Sequence, residues 1–126
     1  MTRLQSLPLS VQQSLQKRCL LKVISGLENF DSASVAMVAS AAGVGGADLL
    51  DVACDPELVG IASESSGLPV CVSAVEPKLF PAAVAAGAAM IEIGNFDSFY
   101  PKGITFEAED VLSLTRQTRE LLPEIV

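Results

Sequence analysis

Gly46-Ala47-Asp48-Leu49-Leu50-Asp51-Val52-Ala53 recurs without gaps as Gly87-Ala88-Ala89-Met90-Ile91-Glu92-Ile93-Gly94. In both copies a glycine closes an alanine-rich segment and opens a short apolar run with one acid at its sixth place, Asp51 in the first and Glu92 in the second. A run this short and uninterrupted reads as a parallel strand covered by helices on one side and by packed core on the other. A carboxylate inside such a strand needs a partner or a task.

Two more runs have the same character, Leu20 to Ser25 and Pro69 to Ser73, the latter with its proline at the first place. Between the runs lie helix signals. Asp31 is an N-cap for a helix whose buried stripe is Val35, Val38, Ala39 and Ala42, with Gly43 closing it. Asp55-Pro56 opens the next helix, which buries Leu58, Ile61 and Ala62 and ends at Gly67. The third helix runs through the alanines to Gly87, with an ambiguous start because Pro77 and Pro81 are not both first-turn prolines of one straight helix. The fourth is capped by Thr105, with Glu107, Glu109 and Asp110 at its positive end, Arg116 and Arg119 near the other, and an inner face of Val111, Leu114, Thr118, Leu121 and Leu122.

These signals predict an α/β chain of four βα units, starting near residues 20, 48, 69 and 89, in a parallel sheet with right-handed crossovers. Pro123-Glu124-Ile125-Val126 reads like the opening of the run at Pro69 and predicts the start of a fifth strand at 123–126. A doubly wound sheet is disfavoured because no Gly-rich phosphate fingerprint follows the first strand; Ser25-Gly26-Leu27-Glu28 does not fit one. Near-equal units with a repeated Gly-Ala entry predict half of a TIM-type (β/α)8 barrel, which typically takes about 250 residues. The first 27 residues carry Arg3, Lys17, Arg18 and Lys22 and no acid, yet Leu7, Val11 and Leu15 recur at helical spacing after Pro8. A capping helix over residues 8–18 is the better reading than a transit peptide. Such a half leaves apolar sheet edges at Leu20 to Ile24 and Ile125 to Val126. The expectation is a missing C-terminal half-barrel or a homodimer, and an end inside a strand favours a fragment.

Half of the 126 residues are hydrophobic, enough for a single core, and no apolar run approaches the length of a membrane span. Fifteen acids against eight bases, a net charge of −7, speak against nucleic acid or anionic lipid as partners and leave a small molecule as the expected ligand. There is no histidine, so acid–base work falls to lysine, carboxylates and cysteine. The three cysteines lack zinc-type spacing and read as reduced thiols.

Lys22 to Asp31, Asp51-Val52-Ala53-Cys54-Asp55-Pro56, Val72-Ser73-Ala74-Val75-Glu76-Pro77 and Glu92-Ile93-Gly94-Asn95-Phe96-Asp97 resemble, in order and over nearly the whole chain, the hypothetical chloroplast reading frame twenty-three (Ycf) family. The resemblance implies a (β/α)8 barrel akin to ribulose-phosphate-binding barrels, with no assigned activity, of which this chain is the N-terminal half. It implies the cytoplasm of a cyanobacterium or the plastid stroma as the compartment. It also implies that the phosphate loops after strands seven and eight lie outside this chain.

In such barrels the chemistry sits at the carboxyl ends of the strands. That face collects Lys22, Asp51 and Glu92 as candidate catalytic residues, and Ser25, Asn29, Asp55, Ser73, Glu76, Asn95 and Asp97 as candidate substrate contacts. An unpaired lysine in an apolar strand has a lowered pKa and serves as base or Schiff-base nucleophile; paired with Asp51 or Glu92 it fills the barrel as an ion pair. Two acids without a third matched ligand assign no metal, and no cofactor is indicated. Cys54 follows the second strand but has no histidine to activate it. Asn29-Phe30-Asp31 and Asn95-Phe96-Asp97 read as capping turns. Phe96, Phe99 and Tyr100, half of the aromatics, lie in the long connection from Gly94 to Ile104, a candidate lid. The expected function is that of a barrel enzyme of isomerase, lyase or epimerase type acting on a small phosphorylated metabolite. The alternative is a non-catalytic metabolite-binding or regulatory protein on the same scaffold.

Overall fold

The computed structural model describes residues 2–126. Four strands, β1 (Lys22–Gly26), β2 (Leu49–Ala53), β3 (Val70–Ala74) and β4 (Met90–Ile93), form one parallel sheet in the order β1-β2-β3-β4. Between and after them run α2 (Ser32–Val44), α3 (Pro56–Ser66), α4 (Phe80–Ala85) and α5 (Ala108–Leu121), with α1 (Leu9–Gln16) ahead of the sheet. Sequential order means that every crossover advances in the same direction, so the helices collect on one face. Val35 and Ala39 of α2, Leu58 and Ala62 of α3 and Phe80 and Ala83 of α4 pack in one cluster with Leu50, Val52, Val70 and Val72. A doubly wound sheet reverses strand order and covers both faces; this one is the α/β arrangement of a half-barrel of βα units.

Side chains alternate along a strand, so the residues between those core positions point to the opposite face, which is free of α2, α3 and α4. At its amino-terminal end Leu49 and Cys71 are sealed by Leu7 and Val11, with Leu20, Met90 and Val126 around them. Asp48 fastens this plug: its carboxylate accepts from the Leu21 N–H (2.8 Å) and from Ser14 Oγ of α1 (2.7 Å), and these bonds hold its pKa below the usual carboxylate range.

Several local expectations are corrected. Gly43 does not end α2, which runs to Val44 with Gly45 as its cap. Gly43 is needed for a different reason, close approach to α3, because a Cβ there would sit against the Ser66 backbone, with C and Cα both at 3.2 Å. Thr105 does not cap α5; Glu107 does, in a reciprocal capping box with Asp110. Leu121, placed on the inner face by spacing alone, is exposed. Asn95-Phe96-Asp97 caps no α-helix: Asn95 is left-handed (φ 64°) and leads a short 3₁₀ turn, whereas Asp31 does cap α2 through the Ser34 N–H. The two prolines that made the third helix ambiguous divide between a 3₁₀ turn, Pro77–Leu79, and α4, in which Pro81 is a first-turn residue. Residues 123–126 make no strand of their own; Pro123 and Glu124 turn, and one hydrogen bond, Ile91 N–H to Val126 O at 3.0 Å, lays the last residue beside β4. Next to and within β1, Leu21 and Ile24 are 54 % and 52 % exposed. Among the described residues no helix is long and apolar enough to cross a membrane.

Candidate functional site

The parallel register sets Ile24 beside Asp51, Asp51 beside Cys71, and Ser73 beside Glu92, all on the helix-free face. Lys22, at the start of β1, reaches up this face to the acids. Its ammonium donates to Asp51 Oδ2 (3.2 Å) and to Glu92 Oε2. Ser73 Oγ donates to Asp51, 2.7 Å from Oδ1 and 2.9 Å from Oδ2. Thus the three candidate catalytic residues and Ser73, contributed by four successive strands, form one network. Among the described residues no buried side-chain polar atom lacks a partner.

Burial pushes the Asp51 carboxyl above the usual range, although the Ser73 hydroxyl and the Lys22 charge pull it back; the side chain is 1 % exposed. Burial alone would lower Lys22, but the hydrogen bond to Glu92 and the charge of Asp51 outweigh it and hold the amine above its ordinary value. The lysine is therefore a fixed cation, not the unpaired amine that a Schiff base requires.

The remaining candidates lie elsewhere. Asn29 Nδ2 donates to Ser25 Oγ (3.1 Å) and Ser34 Oγ (3.0 Å), tying the β1–α2 turn to its helix. Asp55 is occupied as the N-cap of α3, accepting from the Glu57 and Leu58 N–H groups. Glu76 is exposed, 3.6 Å from Lys78, and Asn95 and Asp97 are exposed in the loop after β4. That loop is pinned across the strand ends: Lys102 pairs with Glu28 of the β1–α2 turn and lies 5.6 Å from the Phe99 ring centroid, while Phe96 and Phe99 pack on Phe106.

Cys71 was not singled out by sequence reasoning, although its two-residue offset from Ser73 places it on the same face. Asp51, Cys71 and Glu92 offer donor atoms within 4.8 Å of one another. The set does not suit a divalent ion, because the Lys22 ammonium already occupies an oxygen of each carboxylate and the Cys71 thiol is held protonated by burial and by the charge of Asp51. Cys54 is likewise pushed up to about 11 by burial and by Asp55. Alkylation at neutral pH should thus modify Cys19, the exposed thiol, and spare Cys54 and Cys71 until the protein is unfolded. Mass spectrometry of the native protein showing an adduct on Cys71 would mean that the Leu7–Val11 plug does not seal the sheet.

Titration gives a second expectation. A lysine raised in the folded state contributes stability that is complete below its unfolded value, about 10.4, and lost as pH rises through the folded value. Asp51 has the same sign in a lower window: also raised in the fold, it weakens the protein as pH climbs from about 4 through its folded value. Urea midpoints should fall in the alkaline range, and the fall should be smaller in Lys22→Met. Equal alkaline loss in the variant would show that Lys22 is not the group responsible.

A singly wound parallel sheet with an ammonium–carboxylate network on its helix-free face defines a half-barrel protein with a candidate small-molecule site. The chain belongs to the family described as protein of unknown function (DUF561), whose model matches residues 5–126. It is similar to the uncharacterised protein ycf23 of Cyanophora paradoxa, 48 % identical over 115 residues, which is 90 % of this chain and 47 % of that protein. It is also similar to the ycf23 proteins of Antithamnion sp. (35 % over 113 residues, 90 % and 41 %) and Porphyra purpurea (34 % over 113 residues, 90 % and 43 %). The chain thus spans about half the length of the curated relatives it matches. No solved structure matches.

Proposed function

We propose that the chain supplies the first four units of an eight-unit barrel enzyme that moves a proton beside a carbonyl in a small phosphorylated metabolite, as isomerases, epimerases and lyases do. The observation that carries this reading is the Lys22 ammonium held between Asp51 and Glu92 on the helix-free face. A fixed cation in a partly desolvated site stabilises the oxyanion of an enolate, so Lys22 acts as the electrophile. Glu92, with its side chain 39 % exposed, is the general base, and Asp51 with Ser73 orients Lys22. In barrels of this kind the phosphate sits in loops after strands seven and eight, which accords with relatives twice as long as this chain. The exposed residues at β1 then find their partner in the second half-barrel, or in a homodimer. Relatives in algae support a plastid stroma or cyanobacterial cytoplasm as the compartment.

The second reading, a non-catalytic metabolite-binding or regulatory barrel, is favoured by the internal satisfaction of the network, which leaves no buried group waiting for substrate. Proton NMR in D₂O separates the two. With the protein at the full length of its relatives and a series of ketose and aldose phosphates, solvent deuterium should enter the carbon beside the carbonyl. Glu92→Gln should abolish the exchange, and Lys22→Met should slow it by about 10²–10³-fold. Saturable binding without exchange across the series would leave the binding reading standing.

A further inference from the structure

Above the network, at the carboxyl ends of β2 and β3, lies a cavity of about 200 Å³. Leu27, Phe30, Val75, Leu79 and Phe99 make most of its wall, and Ser73, Cys54, Glu28 and Glu76 supply the polar groups. An apolar cavity of about 150 Å³ admits one benzene ring, so this one suits a single ring or a short hydrocarbon chain. Its polarity is one-sided. The Ser73 hydroxyl proton is committed to Asp51, which leaves only lone pairs facing the cavity. Glu28 and Glu76 present carboxylates, acceptors alone. The nearby cations are already engaged, Lys102 by Glu28 and the Phe99 face, and Lys78 by Glu76 at 3.6 Å. An anion entering would meet carboxylates and no unengaged ammonium; an aromatic wall and carboxylates at the rim favour a cation.

We infer that this cavity, roofed by Phe99 of the loop after β4, binds a small amphipathic cation: a protonated amine carrying one ring or a comparable hydrocarbon body. The site is separate from the chemistry proposed for Lys22 and Glu92 and does not depend on it. The two touch only at Ser73, so its occupant is not held by the phosphate-binding half of a barrel.

Benzylammonium is the probe, with benzyl alcohol and benzoate as its neutral and anionic counterparts, followed by amide chemical shifts of the labelled chain. Benzylammonium should saturate with a Kd on the order of 1 mM, which is reasonable for so few atoms. Shifts should be concentrated at Leu27, Val75, Leu79 and Phe99. Benzyl alcohol should bind several-fold more weakly and benzoate not at all. Val75→Trp fills the cavity and should abolish binding; Glu76→Gln, at an exposed position that leaves the fold intact, should weaken benzylammonium several-fold and leave benzyl alcohol unaffected. Benzoate or benzyl alcohol binding as tightly as the amine, unsaturable shifts, or equal affinity in Glu76→Gln would each overturn the inference.

Discussion

Lys22→Met is expected to lower stability by about 3 kcal/mol, near the lower end of what breaking a buried ion pair costs. The reason is Asp51, which is 1 % exposed and keeps only the Ser73 hydroxyl once the ammonium is gone. Glu92, nearer to water, loses less. For a domain of this size the change is a fall in Tm of about 10 °C, read by thermal unfolding followed by circular dichroism. Protonating Asp51 relieves the stranded charge, so the deficit should shrink in mildly acid buffer and be fully developed near neutral pH. Adding Asp51→Asn to Lys22→Met should recover much of the loss, since a neutral amide still pairs with Ser73. A single variant as stable as the parent at every pH would mean that the network contributes nothing to the fold.

Gly43→Ala is the second large effect, and its sign is the informative part. Helix propensity alone expects a gain of up to about 1 kcal/mol from replacing an interior glycine. At Gly43 the new methyl would run into the Ser66 carbonyl group, backbone atoms of α3 that no rotamer change can move. The helices must separate, and overpacking of this kind typically costs about 1–3 kcal/mol. Gly60 in α3 supplies the control, because a Cβ there meets nothing within 4 Å. Gly60→Ala should therefore stabilise by about 0.5–1 kcal/mol while Gly43→Ala destabilises, both read as urea midpoints. Stabilisation by both would show that α2 and α3 do not approach at Gly43.

Those two glycines also mark how far the sequence can be read. β2 and β4 were legible from the repeat, because glycine entry and an apolar run leave little room for other registers. β1 begins two residues later than its apolar run, since Leu20 turns into the basal plug and Leu21 stands exposed beside the sheet. Gly43 looked like a helix end because composition does not distinguish a stop from a close helix contact. The spacing that assigned Leu121 to the inner face carries no information about where its partners run out. Asp55 and Asp31 announced themselves as caps through the residues that follow them; Glu107 was masked by Thr105, an equally good cap two residues earlier.

Within the candidate site, strand alternation was enough to bring Lys22, Asp51, Ser73 and Glu92 to one face. It did not give the order of contacts. That Lys22 spans both acids, that Ser73 spends its proton on Asp51, and that Cys71 stands beside them follow from register between strands, which no single stretch contains. Asp55, Asn29 and Asn95 carried residue types suited to ligand contact, yet the first two serve the backbone and side chains of their own turns.

The state of the Lys22 amine bears on all of this most directly. Carbon-13 NMR of the lysine Cε resonances, assigned by substitution and followed from neutral to alkaline pH, reads the four side chains Lys17, Lys22, Lys78 and Lys102 separately. Lys22 should lose its proton above the ordinary lysine value of about 10.4, and in Asp51→Asn its midpoint should move down toward that value. A Lys22 that titrates at or below the ordinary value would contradict an ammonium fixed between two carboxylates.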